Sequence, residues 1–104
     1  MTAPATSYLV CYDISGSARR LARTRRLLLA SATPLQYSVF LGRFTHAGRR
    51  DILSALARSI DPRVDDVRLY PVPERPAVLL LGRRHLPEGI FLRLPGLAPP
   101  PASR

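Results

Sequence analysis

Asp13 is the residue of this chain best placed to do chemistry. It ends the apolar run Tyr8-Leu9-Val10-Cys11-Tyr12, whose aromatic, branched and small residues predict a buried strand. A carboxylate at the end of such a strand is costly unless a partner compensates it. Arg19, Arg20, Arg23, Arg25 and Arg26 follow closely. A lone acid facing a basic helix suggests a metal or phosphate site. Spacing alone leaves a second reading open, in which Asp13 turns the chain or caps the next helix.

Conventional catalytic sets are missing. His46 and His85 lie in unrelated segments and read as surface residues, and the single cysteine, Cys11, excludes a zinc cluster of the usual spacing. There is no phosphate-binding loop of the Walker type. The Arg43-Phe44 pair after Gly42 is too short for the aromatic motif of an RNA-recognition fold. Ser15, Ser17 and Ser38 have no histidine nearby to act as a base. Magnesium accepts one or two carboxylates when waters and phosphate oxygens complete its shell. By strand alternation Asp13 shares a face with Leu9 and Cys11. If that is the helix-free face, a dimer axis could bring two copies of Asp13 together, where magnesium would activate water against a phosphodiester.

The elements that must position these residues follow from pattern. The first strand is expected over residues 7–14, with residues 1–6 frayed. Ser15-Gly16-Ser17 then turns the chain and supplies a cap for a helix reaching about residue 32. Leu21, Thr24 and Leu28 form its core seam, and Arg19, Arg23 and Arg26 form a stripe on roughly the opposite face. A solvated surface explains that stripe as well as phosphate contact does. Residues 35–44 read as extended, as either one kinked strand or a hairpin, with Gly42 marking a bulge or a close backbone approach. Thr45 caps a second helix with Leu53, Leu56 and Ile60 as its seam, stopped by Asp61-Pro62. Residues 66–72 alternate as a strand, and residues 77–81 and 90–94 suggest short ones. The tail beyond Pro95, with Pro99-Pro100-Pro101, is expected to be disordered or extended.

This order predicts an α+β, ferredoxin-like βαββαβ sandwich with one or two additional C-terminal strands. Its domain spans residues 7–82, followed by a strand segment at 83–94 and the tail at 95–104. Two helices cover one sheet face, and a homodimer is an economical cover for the other.

Composition sets the outer limits. The 104 residues allow one small domain, and 46% of them are hydrophobic. No apolar run suits a membrane span, and no secretory signal is visible. The lone cysteine fits a cytoplasmic location. A net charge of +9, carried by 16 basic residues that are all arginine, favours a polyanion such as nucleic acid. A GC-rich genome would also raise the arginine count.

Together, Tyr12-Asp13-Ile14-Ser15, Arg20-Leu21, Gln36-Tyr37-Ser38-Val39-Phe40 with Gly42, Ile60-Asp61-Pro62 and Asp65-Asp66-Val67-Arg68-Leu69-Tyr70-Pro71 resemble the small CRISPR-associated endoribonuclease family often called Cas-two, over about residues 7 to 82. The resemblance implies a ferredoxin-like homodimer with Asp13 as the magnesium-linked catalytic acid at its interface. It implies nucleic-acid contacts from Tyr12, Arg20 and residues around Ser38 and Phe40, to which the arginine pattern adds Arg19, Arg23, Arg26 and Arg43. It further implies a CRISPR Cas-one integrase as partner in spacer acquisition, duplex DNA or single-stranded RNA as ligand, and a last strand that docks on the partner protomer. Members act as metal-dependent nucleases or as non-catalytic adaptors that hold duplex DNA. Three departures stand out. Gly16 and Ser17 replace a frequent second acid, Pro34 replaces a common basic residue, and Gly48 replaces a long polar one. The first removes a metal ligand and weakens the nuclease expectation. A toxin-like metal-dependent ribonuclease of the same fold, outside a CRISPR system, is the alternative.

Overall fold

Alternation along the first strand sets the architecture. In β1 (Ala5–Asp13), Tyr8, Val10 and Tyr12 are buried, Leu9 and Cys11 half-buried, and Asp13 exposed. The even residues therefore face the core and the odd ones the opposite side. The structure, a computed structural model, describes residues 3–79, residue 81 and the backbone of residues 92–93. The chain falls into two compact units, Met1–Val72 and Pro73–Arg104.

In the first unit β1 is followed by α1 (Ala18–Leu29), β2 (Thr33–Gln36), β3 (Val39–Thr45), α2 (His46–Ser59) and β4 (Asp66–Val72). The strands form an antiparallel sheet in the order β2-β3-β1-β4. Strand β1 is thus central, and both edge strands carry a proline, Pro34 or Pro71, where a missing N–H is tolerated. Tyr8, Val10, Tyr12, Phe40 and Phe44 of the strands join Leu28, Ile52 and Leu56 of the helices in one core. Both helices therefore pack on one sheet face, as the βαββαβ reading requires. In the second unit β5 (Ala77–Val78) pairs in parallel with β6 (Leu92–Arg93).

Local chemistry explains most boundaries. Gly16, at φ 77°, takes the left-handed turn that glycine tolerates, and the Ser17 hydroxyl then accepts the Arg20 N–H to cap α1. The Thr45 hydroxyl caps α2 by accepting from Gly48 N at 3.0 Å. Thr24 and Leu28 are fully buried on α1, in line with the expected seam. Gly42 marks a close approach, since a Cβ there would lie 2.5 Å from the Phe44 ring. Among the described residues no helix is long and apolar enough to cross a membrane.

Several boundaries differ from expectation. Strand β1 begins at Ala5 rather than residue 7, because Ala5 and Thr6 pair with Thr45 and Phe44. Helix α1 stops at Leu29, before residue 32, as the chain turns to enter β2 and Pro34 disfavours a helical residue ahead of it. Residues 35–44 are a hairpin, with Tyr37-Ser38 as its turn. The α2 seam is Ile52, Leu56 and Ser59, while Leu53 is 44% exposed and Ile60 already extended. Leu56 belongs to both frames, and the buried face of α2 is rotated by about one residue from the expected one. The expected 77–81 strand is the shorter Ala77–Val78. Of the 90–94 segment, only residues 92–93 are described, and the tail beyond Pro95 lies outside the described residues.

Candidate metal and nucleic-acid site

The central strand delivers Asp13 to the end of the sheet, exposed and on the helix-free face with Leu9 and Cys11. Its register partner on β4 is Asp66. Side chains directly opposed across antiparallel strands stand about 5 Å apart at Cβ. A single chain therefore places two carboxylates side by side, a pairing that the linear spacing conceals. Asp66 also accepts from Arg68 Nε at 2.8 Å in an exposed ion pair. Arg68 in turn lies opposite Cys11. Burial pushes the Cys11 thiol above its usual value and Arg68 only partly opposes this, so the thiol stays protonated at neutral pH.

The neighbouring acid has a different role. The Asp65 side chain is fully buried and accepts from Ser15 N at 2.9 Å, Asp61 N at 2.8 Å and Arg20 Nε at 2.8 Å. Burial alone would raise its pKa, but the backbone donors and Arg20 outweigh it and hold the carboxyl below the usual range. Arg20 Nη2 also donates to Ser15 O at 2.8 Å. This network pins the loop that follows Asp13 to α1 and to the segment before β4. Sequence reading missed it because Asp65 and Asp66 are adjacent acids of one type, which the fold sends to different environments.

The other expected nucleic-acid residues separate into two groups. Phe40 is fully buried and stacks on Tyr12, which is 5% exposed and donates its hydroxyl to Tyr37 O at 2.8 Å. Arg20 is committed to Asp65 and Ser15. Tyr12, Arg20 and Phe40, all expected to contact nucleic acid, are thus each engaged in holding the fold. Arg19, Arg23 and Arg26 are exposed along α1, although Arg23 donates one bond to Ser59 O at 3.2 Å. Arg43 is exposed on β3, and Ser38 is half-buried in the hairpin turn. The α1 stripe lies in the helix layer, so the sheet separates it from the face that carries Asp13.

The described residues contain no group of three or more His, Cys, Asp or Glu suited to a metal ion. The Asp13 and Asp66 pair still meets the minimum for magnesium, which often takes one or two carboxylates and fills its shell with water and phosphate oxygens. His46 is exposed on α2 and shares a 3.2 Å contact with Arg49, far from such a donor set in the sequence and in the fold, while His85 lies outside the described residues.

The family model for CRISPR associated protein Cas2 matches residues 6–77. The chain is 42% identical over 85 residues to CRISPR-associated endoribonuclease Cas2 1 of Nitrosomonas europaea, covering 82% of this chain and 80% of that protein. It is 38% identical over 84 residues to CRISPR-associated endoribonuclease Cas2 2 of Thermodesulfovibrio yellowstonii, covering 80% and 91%. Among solved structures, a hypothetical protein from Thermus thermophilus superposes with a TM-score of 0.71 at 32% identity, covering 82% of this chain and all (100%) of that one. Streptococcus pyogenes Cas2 does so with a TM-score of 0.57 at 30% identity, covering 73% and 86%. The matched span takes in both Asp13 and the Asp65-Asp66 pair, and on this evidence the chain belongs to the CRISPR-associated Cas2 family.

Proposed function

We propose that this protein acts in spacer acquisition as a homodimeric adaptor that holds duplex DNA for the Cas-one integrase. We further propose that Asp13 gives it a magnesium-assisted phosphodiesterase activity on RNA or DNA. The adaptor role draws on the net charge of +9 and on the exposed stripe of Arg19, Arg23 and Arg26. Guanidinium contacts to phosphates carry affinity without base specificity.

One observation carries the hydrolytic role: Asp13 is exposed beside Asp66 on the helix-free face and makes no hydrogen bond or ion pair among the described residues. Asp13 and Asp66 would hold magnesium, which when bound supplies a polarised water and offsets charge on the scissile phosphate. Asp13 serves as a fixed anionic ligand, and the Asp65 network keeps its strand end and loop in place. Arg68 partly neutralises Asp66 and stands ready to face a phosphate oxygen. A second copy seated on this face would add its own Asp13.

The test is a comparison of wild type with Asp13→Ala on identical RNA and DNA substrates, scoring binding and cleavage together. Cleavage should require magnesium and disappear in the variant, while duplex affinity stays within about twofold, since phosphate contacts supply it. Cleavage that persists in Asp13→Ala would refute the hydrolytic role. Loss of duplex affinity in the same variant would refute the separation of the two surfaces.

A further inference from the structure

The hairpin tip between β2 and β3 presents an aromatic ring that the core does not use. Tyr37 is 66% exposed, although the turn that carries it is tightly held. Its carbonyl accepts from the Tyr12 hydroxyl at 2.8 Å and from Arg25 Nη1 at 3.1 Å. The next carbonyl, of Ser38, accepts from Tyr12 N at 3.1 Å. Neither turn residue has a positive φ, so the backbone is unstrained as well as anchored. The Arg25 guanidinium stands 5.5 Å from the centre of the Tyr37 ring and 5.6 Å from that of the buried Phe40. Arg25 is thus pinned between a core ring and a surface ring.

A ring on an anchored turn, backed by a cation and otherwise open, has the chemistry of a stacking platform. Stacking onto it orders little of the protein, because the turn is already fixed. The guanidinium adds attraction for an anionic strand and for the π-face of a base. A base inside a duplex has both faces occupied by its neighbours, whereas an unpaired base leaves one free. We infer that Tyr37, backed by Arg25, stacks an unpaired nucleobase of a single-stranded segment, in RNA or DNA. The inference rests on the nucleic-acid reading above for its class of ligand, and it adds a contact that the α1 stripe does not provide. Arg25 is its positioning residue.

The chain contains no tryptophan, so Tyr37→Trp places a single fluorescent reporter at the tip. The full-length variant is titrated with single-stranded DNA, single-stranded RNA and a blunt duplex of the same sequence. Emission should be quenched by one or both single strands and little changed by the duplex. The two single-stranded arms identify which backbone is accepted. In parallel, Tyr37→Leu should weaken single-strand binding about 5- to 50-fold, while Tyr37→Phe keeps wild-type affinity. Duplex affinity should stay within about twofold in both variants, because phosphate contacts supply it. Unquenched emission with single strand bound, or a Tyr37→Leu variant that is folded by circular dichroism and binds single strands like wild type, would overturn the inference. If those results came with normal duplex binding, the adaptor reading would survive. If wild type failed to bind duplex while the reporter was quenched by single strands, the adaptor reading would fall and the platform would stand.

Discussion

Three aspartates show how little residue type says about role. Asp13 is exposed and unpaired among the described residues, Asp66 is shared with Arg68, and Asp65 is buried and accepts from Ser15 N, Asp61 N and Arg20 Nε. Only Asp65 is placed to stabilise the fold strongly, because removing one partner of a buried ionic network leaves the others unsatisfied. Its folded pKa lies below its unfolded one, so protons bind the unfolded state more readily. Its contribution is therefore complete above the ordinary carboxylate range near pH 4 and is lost as pH falls through the folded value. Asp61, lowered to about 2 chiefly by its hydrogen bond from Arg63, moves stability in the same direction. Arg63 is 85% exposed, so solvent screens that pair and its share is small. Thermal melts between pH 2 and 7 should show a flat midpoint above about pH 5 and a fall below about pH 4. Asp65→Asn should lower the neutral-pH midpoint by on the order of 10 °C and flatten the acid limb. An unchanged midpoint would mean that the network holds nothing.

At the scale of elements, α1 is one helix with two jobs. Thr24 and Leu28 face the core, and Thr24 meets Ser59 of α2 hydroxyl to hydroxyl at 3.2 Å. That polar contact satisfies both groups where the helices approach. The Arg19 and Arg26 side chains face outward and make no hydrogen bond or ion pair among the described residues, which distinguishes them from Arg23. Arg19→Ala with Arg26→Ala is therefore the cleaner test of the stripe. Duplex affinity should fall, and the slope of log affinity against log salt should become shallower by about 2, one unit for each lost phosphate contact. An unchanged slope would make the stripe a solvated surface. The hairpin teaches the converse lesson. Leu35 to Phe44 has one β-rich composition throughout, and nothing local marked Tyr37-Ser38 as a turn, because it contains no glycine. Its turn is held from outside, by Tyr12 and Arg25.

For the whole molecule, the question is what covers the helix-free face of the sheet. Leu9, Leu41 and Tyr70 are register neighbours there, with Tyr70 45% exposed. Leu41 is already buried, and a second copy seated on this face would cover Leu9 and Tyr70 and bring two Asp13 residues into one site, so the proposed dimer and the proposed chemistry share a surface. Wild type should sediment as a dimer. Leu9→Glu should shift it to a monomer that still melts cooperatively, since Leu9 lies outside the core cluster. A wild-type monomer at working concentration would remove the paired-acid arrangement and leave magnesium to the Asp13 and Asp66 pair of a single chain.

Much of this was readable in the chain. The element order, the caps at Ser17 and Thr45, the α1 seam and the place of Asp13 on a strand face follow from short-range rules, because alternation, helical periodicity and capping act over a few residues. What remained hidden depends on which distant segments meet. The β1–β4 register made Asp66 the neighbour of Asp13, and folding drew Arg20 onto Asp65, 45 residues away. Burial turned Tyr12 and Phe40 into core. Those roles come from register and packing between elements, where a shift of one position changes every partner and leaves the local pattern intact.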